Sequence, residues 1–93
     1  MSAKKYTDSF IVINEKGLHT RPSTELVKCA SAFRSRVSLH FQSLSVNAKS
    51  LLGILMLAAA RGSKITVEAV GEDAEEAVKS ILELASNKFY IKY

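Results

Sequence analysis

The sequence predicts an α+β fold in which helices cover one face of an antiparallel sheet, and three observations carry that prediction. Two segments alternate with a period of two: Val37, Leu39 and Phe41 against Ser38, His40 and Gln42, and Ile65, Val67 and Ala69 against Thr66, Glu68 and Val70. Helical spacing appears in stretches that each offer one apolar stripe to a sheet. No linker, repeat or low-complexity run divides the 93 residues, so one domain over 1–93 is expected.

Taken in order, Phe10 to Ile13 is a β-branched and aromatic run closed by Asn14-Glu15-Lys16-Gly17, which reads as a strand and a loop. A helix follows from Pro22, with Leu26, Ala30 and Phe33 on one side and Thr24 and Lys28 on the other. Pro22 suits its first turn, where a missing N–H costs nothing. The alternating strand Val37 to Phe41 turns near Gln42-Ser43 into Leu44 to Val46, a hairpin without an Asn-Gly signal. Leu51 to Ala60 reads as a second helix, closed by Arg61-Gly62 with glycine supplying a left-handed residue. After the strand Ile65 to Val70, Asp73 with Glu76 resembles a capping box. It opens a last helix whose stripe is Ala77, Val78, Ile81, Leu84 and Ala85. The order is βαββαβα, with the far face of the sheet left to water.

Composition narrows the function. With 47% hydrophobic residues, a chain of this length holds a modest core and leaves little room for an enclosed substrate cavity. Surface chemistry is therefore expected. A single cysteine, Cys29, forms no intrachain bridge and fits a reducing compartment, and it is read as a packing residue. The stretch from Met1 through Lys5 to Ile13 does not read as a secretory signal, and Leu51 to Ala60 is too short to span a bilayer, so no membrane insertion is expected. Charge is uneven: residues 1–64 carry ten basic and three acidic side chains, and residues 65–93 carry three and six. Such a front half favours an acidic or phosphorylated partner.

Gly17-Leu18-His19-Thr20-Arg21-Pro22 puts a histidine and an arginine at the mouth of the first helix. The free amides of Thr20 and Arg21 meet the positive helix end there, which makes an anion site with phosphate as the natural occupant. That field disfavours a second positive charge, so His19 is expected as a neutral, nucleophilic imidazole able to accept a phosphoryl group. Arg21 would steady the charge through its forked donors, and Gly17 would allow a partner to approach closely. Ser50, just before the second helix, is an N-cap hydroxyl at which added negative charge would not melt the helix. In that helix Ile54 and Leu57 can point inward while Leu51, Leu52 and Leu55 cluster outward, as a docking patch would. His40 has no second ligand at a metal-binding spacing, so no metal and no cofactor is expected.

Together with Asn47-Ala48-Lys49-Ser50, Arg61-Gly62 and Val70-Gly71-Glu72-Asp73, the His19 motif resembles the HPr family of the bacterial phosphoenolpyruvate-dependent phosphotransferase system, over about residues 6–88. The resemblance implies an open-faced β-sandwich, with a four-stranded antiparallel sheet and three helices on one face. It implies a phosphocarrier, not a turnover enzyme, that takes a phosphoryl group from enzyme I on the δ nitrogen of His19, beside Arg21, and passes it to EIIA domains. It further implies Lys28 and Lys49 as basic positions around the docking face formed by Leu51, Leu52 and Leu55, and Ser50 as the target of an HPr kinase/phosphorylase. A cytoplasmic monomer with brief partner contacts is the implied setting.

Lys16 departs from the family's small polar residue, Gln42-Ser43 replaces a frequent Asn-Gly, and Phe89-Tyr90-Ile91-Lys92-Tyr93 is unusually aromatic. Leu51 to Arg61, Val67-Glu68-Ala69 and Glu75-Glu76-Ala77 are also similar to NPr, the nitrogen-related paralogue, which makes a carrier of that branch the alternative. RNA binding would need paired aromatics on the strands, and these are missing, so no nucleic acid partner is expected. A regulatory phosphoprotein acting through Ser50 can coexist with the carrier reading.

Overall fold

A computed structural model describes residues 4–93; the expectation about a secretory signal, which begins at Met1, lies partly outside the described residues. The elements are β1 (Lys5–Ile11), α1 (Thr20–Ser31), β2 (Arg36–Phe41), β3 (Leu44–Asn47), α2 (Leu51–Met56), β4 (Lys64–Val70) and α3 (Ala74–Ser86). The strands form one antiparallel sheet in the order β1-β4-β2-β3. The βαββαβα order and the four-stranded antiparallel sheet agree with the sequence prediction.

The period-two alternation decides which residues enter the core. In β4, Ile65, Val67 and Ala69 are buried, and on the neighbouring β2 so are Val37 and Leu39, the partners of Ala69 and Val67. Helix α1 contributes Leu26 and Ala30, and α3 contributes Ala74, Ala77, Val78, Ile81 and Ala85, all closed to solvent. These helices lie on the core side. The other side carries Ser38, His40, Thr66 and Glu68, where Glu68 Oε1 stands 3.3 Å from His40 Nε2 and Oε2 3.7 Å from Lys5 Nζ.

Two expected boundaries are corrected, and the tail adds a turn. β1 runs from Lys5 to Ile11 instead of Phe10 to Ile13, because the polar stretch Lys5 to Ser9 pairs with β4 along its whole length. An edge strand needs few apolar residues when its neighbour supplies the hydrogen bonds, so its first half was invisible to a hydropathy pattern. Helix α2 ends at Met56, not at Ala60, and the left-handed residue after it is Ala58 with φ 49°. Gly62, with φ +92°, instead shapes the turn that returns Val12 to Ser63. The tail holds a turn no pattern announced: Lys88, Phe89 and Tyr90 all have φ between 55° and 59°. Left-handed backbone costs roughly 1–2 kcal/mol per non-glycine residue, so such a run persists only where its surroundings fix it. Here Phe89 is fully buried, edge-to-face on Phe10 at 6.0 Å, and Asn14 Nδ2 donates to the Lys88 carbonyl at 2.9 Å.

Asp73 is the N-cap residue of α3, as expected, but it makes no capping bond and the box with Glu76 does not form. Its carboxylate reaches across the molecule to accept from the amides of Arg34 and Ser35, each at 2.9 Å, and from Ser35 Oγ at 2.5 Å. The Ser35 hydroxyl and the Arg34 amide hold the Asp73 carboxyl at about 2, below its ordinary value. A depressed folded-state value means the carboxylate adds stability above pH ~4, and that this is lost as pH falls towards 2. Asp73→Asn is therefore expected to lower stability at neutral pH. The gap to the parent protein should close in urea titrations between pH 4 and 2, and a gap that stays constant would count against this bond set.

Candidate functional site

The site is built on the loop between β1 and α1. The Asn14 carbonyl accepts from Gly17 N at 3.0 Å, and the Leu18 amide then donates to the Ala59 carbonyl at 2.9 Å, tying this loop to the segment after α2. Gly17 is buried with φ +70°, and a Cβ there would collide with the Ala59 carbonyl oxygen and lie 2.9 Å from Ala60 Cα. The expectation that Gly17 admits a partner is thus corrected: what it admits is the protein's own backbone. Ser23, fully buried, donates its hydroxyl to the Leu18 carbonyl at 3.0 Å, and its amide donates to the His19 carbonyl at 3.1 Å.

His19 emerges from this clasp as the N-cap residue of α1, in extended conformation, and its side chain makes no capping bond. The residue is half-buried. Its Nε2 is enclosed and has no hydrogen-bond partner, while the amides of Thr20 and Arg21 lie in the first helical turn without intrahelical acceptors. Thr20 and Arg21 are exposed. Arg21 Nη1 donates to the Tyr93 hydroxyl at 3.0 Å, the His19 imidazole stacks on the Tyr93 ring at 5.4 Å and 17°, and Lys16 Nζ lies 4.6 Å from that ring's centre. These separations lie within the ranges for aromatic stacking and cation–π attraction.

Ser50 occupies the predicted N-cap of α2 and accepts from the Gly53 amide at 3.1 Å. Leu52 is 70% exposed and Leu51 also faces water, as expected. Leu55 does not: it is half-buried, and Met56, 64% exposed, takes the outward place instead. Met56 stands four residues after Leu52, so helical spacing alone could have found it. Lys28 is exposed and paired with Glu25 at 3.4 Å, a contact of small energetic weight. Lys49 is half-buried, and its Nζ donates to the Phe33 carbonyl at 2.8 Å, beyond the end of α1, so it closes a turn of its own chain. Cys29 is half-buried, and burial pushes its thiol up, away from reactivity. Among the described residues, no group of three or more His, Cys, Asp or Glu is placed to hold a metal, and no helix is long and apolar enough to cross a membrane.

Sequence reasoning missed Asn14, Ser23 and Tyr93. A turn asparagine and a serine three residues into a helix are faint signals, and nothing local points from Tyr93 to His19, 74 positions earlier in the chain.

A four-stranded open sheet, with helices on one side and a histidine–arginine pair at a helix mouth, defines a phosphoryl-carrier class of small proteins. The family model for the PTS HPr component phosphorylation site matches residues 6–87, so the chain belongs to the HPr family of phosphocarriers of the phosphotransferase system. The phosphocarrier protein HPr of Cupriavidus necator is 42% identical over 78 residues, covering 84% of this chain and 88% of the relative. The crystal structure of HPr-C-His from Thermoanaerobacter tengcongensis superposes with a TM-score of 0.89 at 34% identity, covering 95% of this chain and 99% of that one. An HPr dimer from the same organism gives a TM-score of 0.74 at 38% identity, over 86% of this chain and 92% of that one. The two solved structures share the open-faced sandwich.

The packing of Gly17 against Ala59 makes a direct expectation. Gly17→Ala should lower the unfolding free energy by roughly 2 kcal/mol or more, through both strain and collision. Gly62→Ala, where a Cβ meets open space, should cost about 1 kcal/mol. Denaturant titration of the two variants checks this, and equal losses would mean that close approach is not what Gly17 provides.

Proposed function

We propose that His19 accepts a phosphoryl group from phospho-enzyme I on Nδ1, with Arg21 and the amides of Thr20 and Arg21 receiving its charge, and delivers it to EIIA domains of a sugar phosphotransferase system in the cytoplasm. The observation that carries this reading is the His19 ring at the mouth of α1, with Nε2 enclosed and its side chain free of any capping bond. Nδ1 is then the nitrogen left to react. Its lone pair attacks phosphorus, the new N–P bond forms, and the bond to the donor breaks with its electron pair leaving on the donor. The reverse sequence hands the group to the next acceptor.

Several neighbours suit this chemistry. Arg21 and Lys16 both stand at the Tyr93 ring beside His19, so two cations are within reach of an incoming dianion. The free amides add donors that need no side-chain movement. Leu51, Leu52 and Met56 form an exposed apolar patch on α2, which packs beside α1, and we assign docking of both partners to it, with Lys28 at the rim. A monomer is the working state for such transient contacts.

We further propose that an HPr kinase/phosphorylase modifies Ser50. A phosphoryl group there keeps an oxygen acceptor at the start of α2 and sets negative charge beside the Leu51 and Leu52 patch. Ser50→Asp is expected to slow phosphoryl acceptance at His19, and acceptance at the parent rate would remove this regulatory reading.

The decisive experiment incubates the protein with enzyme I and labelled phosphoenolpyruvate. Acid-labile label should appear on the parent protein and be abolished in His19→Ala, while label that persists in that variant would overturn the assignment.

A further inference from the structure

Tyr93 stands where three side chains of the site converge. Its ring stacks on His19, its hydroxyl accepts from Arg21 Nη1 at 3.0 Å, and its face lies 4.6 Å from Lys16 Nζ. The residue is half-buried, and the segment that brings it there is anchored at three points. Phe89 sits in the core, Asn14 holds the Lys88 carbonyl, and Ile91 is 8% exposed. The left-handed turn at 88–90 leads into the segment whose Tyr93 lies on His19 and Arg21 at the start of α1. A chain that tolerates three such residues in succession is directed to this place.

We propose that Tyr93 is a positioning residue for phosphoryl transfer at His19, a role that rests on the phosphocarrier reading above. An imidazole turns on a broad two-fold torsion about its last side-chain bond, so a half-exposed histidine without a hydrogen bond has no fixed plane of its own. The Tyr93 ring supplies that plane, and in the orientation observed against it Nε2 is enclosed and Nδ1 is left to react. Its hydroxyl parks Arg21 at the same spot. A bond from guanidinium to a neutral phenol is weaker than one to a phosphoryl oxygen, so Arg21 exchanges one acceptor for the other when the group arrives. Tyr93 itself neither gains nor loses a proton or a covalent bond in this exchange.

Two variants and two measurements test the role. Tyr93→Ala removes ring and hydroxyl, whereas Tyr93→Phe keeps the ring alone. The first measurement is the proton NMR of the His19 ring in the unphosphorylated protein, where stacking on an aromatic face shifts its resonances upfield. They should move downfield by several tenths of a part per million in Tyr93→Ala and stay in place in Tyr93→Phe. The second is phosphoryl acceptance with enzyme I and phosphoenolpyruvate. Tyr93→Ala should lower kcat about fivefold with the KM for the carrier unchanged, and Tyr93→Phe should restore it to within about twofold of the parent. Unmoved His19 resonances in Tyr93→Ala, acceptance at the parent rate, or a Tyr93→Phe as slow as Tyr93→Ala would each overturn the proposal. If the parent takes no label at His19 while the ring shift is present, the phosphocarrier reading fails, and the positioning role fails with it, although the stack itself stands.

Discussion

A single backbone hydrogen bond, from the Leu18 amide to the Ala59 carbonyl, governs how this protein presents its surface. Residue 18 is the last before the histidine, and residue 59 lies just past the second helix, so the bond joins the two parts of the chain where chemistry and docking are assigned. It requires close contact between main chains, which Gly17 permits because it lacks a Cβ. The segment 58–60 has left the helical path where the bond forms, with Ala58 at φ 49° just past the end of α2. The end of the short α2 and the start of α1 at His19 meet at this one contact.

That contact explains why the apolar character of residues 51–60 divides as it does. Ile54, Leu57 and Ala59 turn inward and are closed to solvent, the last two from outside any helix. Leu51, Leu52 and Met56 are left on the outside of six helical residues with nothing to cover them. Burying an aliphatic side chain is worth roughly 1.5–3 kcal/mol, so exposing three large ones in so small a domain is a substantial stability forgone. The docking role proposed for this patch would account for that cost, and Ser50 opens the helix at the patch edge.

Most of the fold was legible because strands and helices follow local rules. The alternation in 65–70 and the stripe of α3 each state which residues face the core, and the structure puts those residues there. What could not be read locally depended on distant partners. The polar half of β1 is a strand only because β4 lies beside it. Asp73 has the sequence context of a capping box, yet the Ser35 and Arg34 donors outcompete the helix amides because they offer three bonds instead of one. The His19 motif was legible as a helix start because Thr20, Arg21 and Pro22 carry that signal within themselves. The supports beneath and above it were not: Ser23 bonds only four and five residues back, but its burial and its hydroxyl bond leave no mark in the pattern, and Tyr93 acts on groups that sequence spacing does not connect to it.

The architecture also bears on how a carrier can both accept and release its load. A site that enclosed the phosphoryl group on all sides would hold it against the next acceptor, whereas a bare surface histidine would leave the new charge to water. Here the rigid part is the backbone clasp at 14–18 and the start of α1, while the two cations, Lys16 and Arg21, rest against the Tyr93 ring on flexible stems. Donors fixed in the backbone stabilise charge without reorganising, and side chains that already have an alternative resting place lose little when the group departs. In the proposed transfer, the Tyr93 hydroxyl supplies that resting place for Arg21, with the ring itself as a second one.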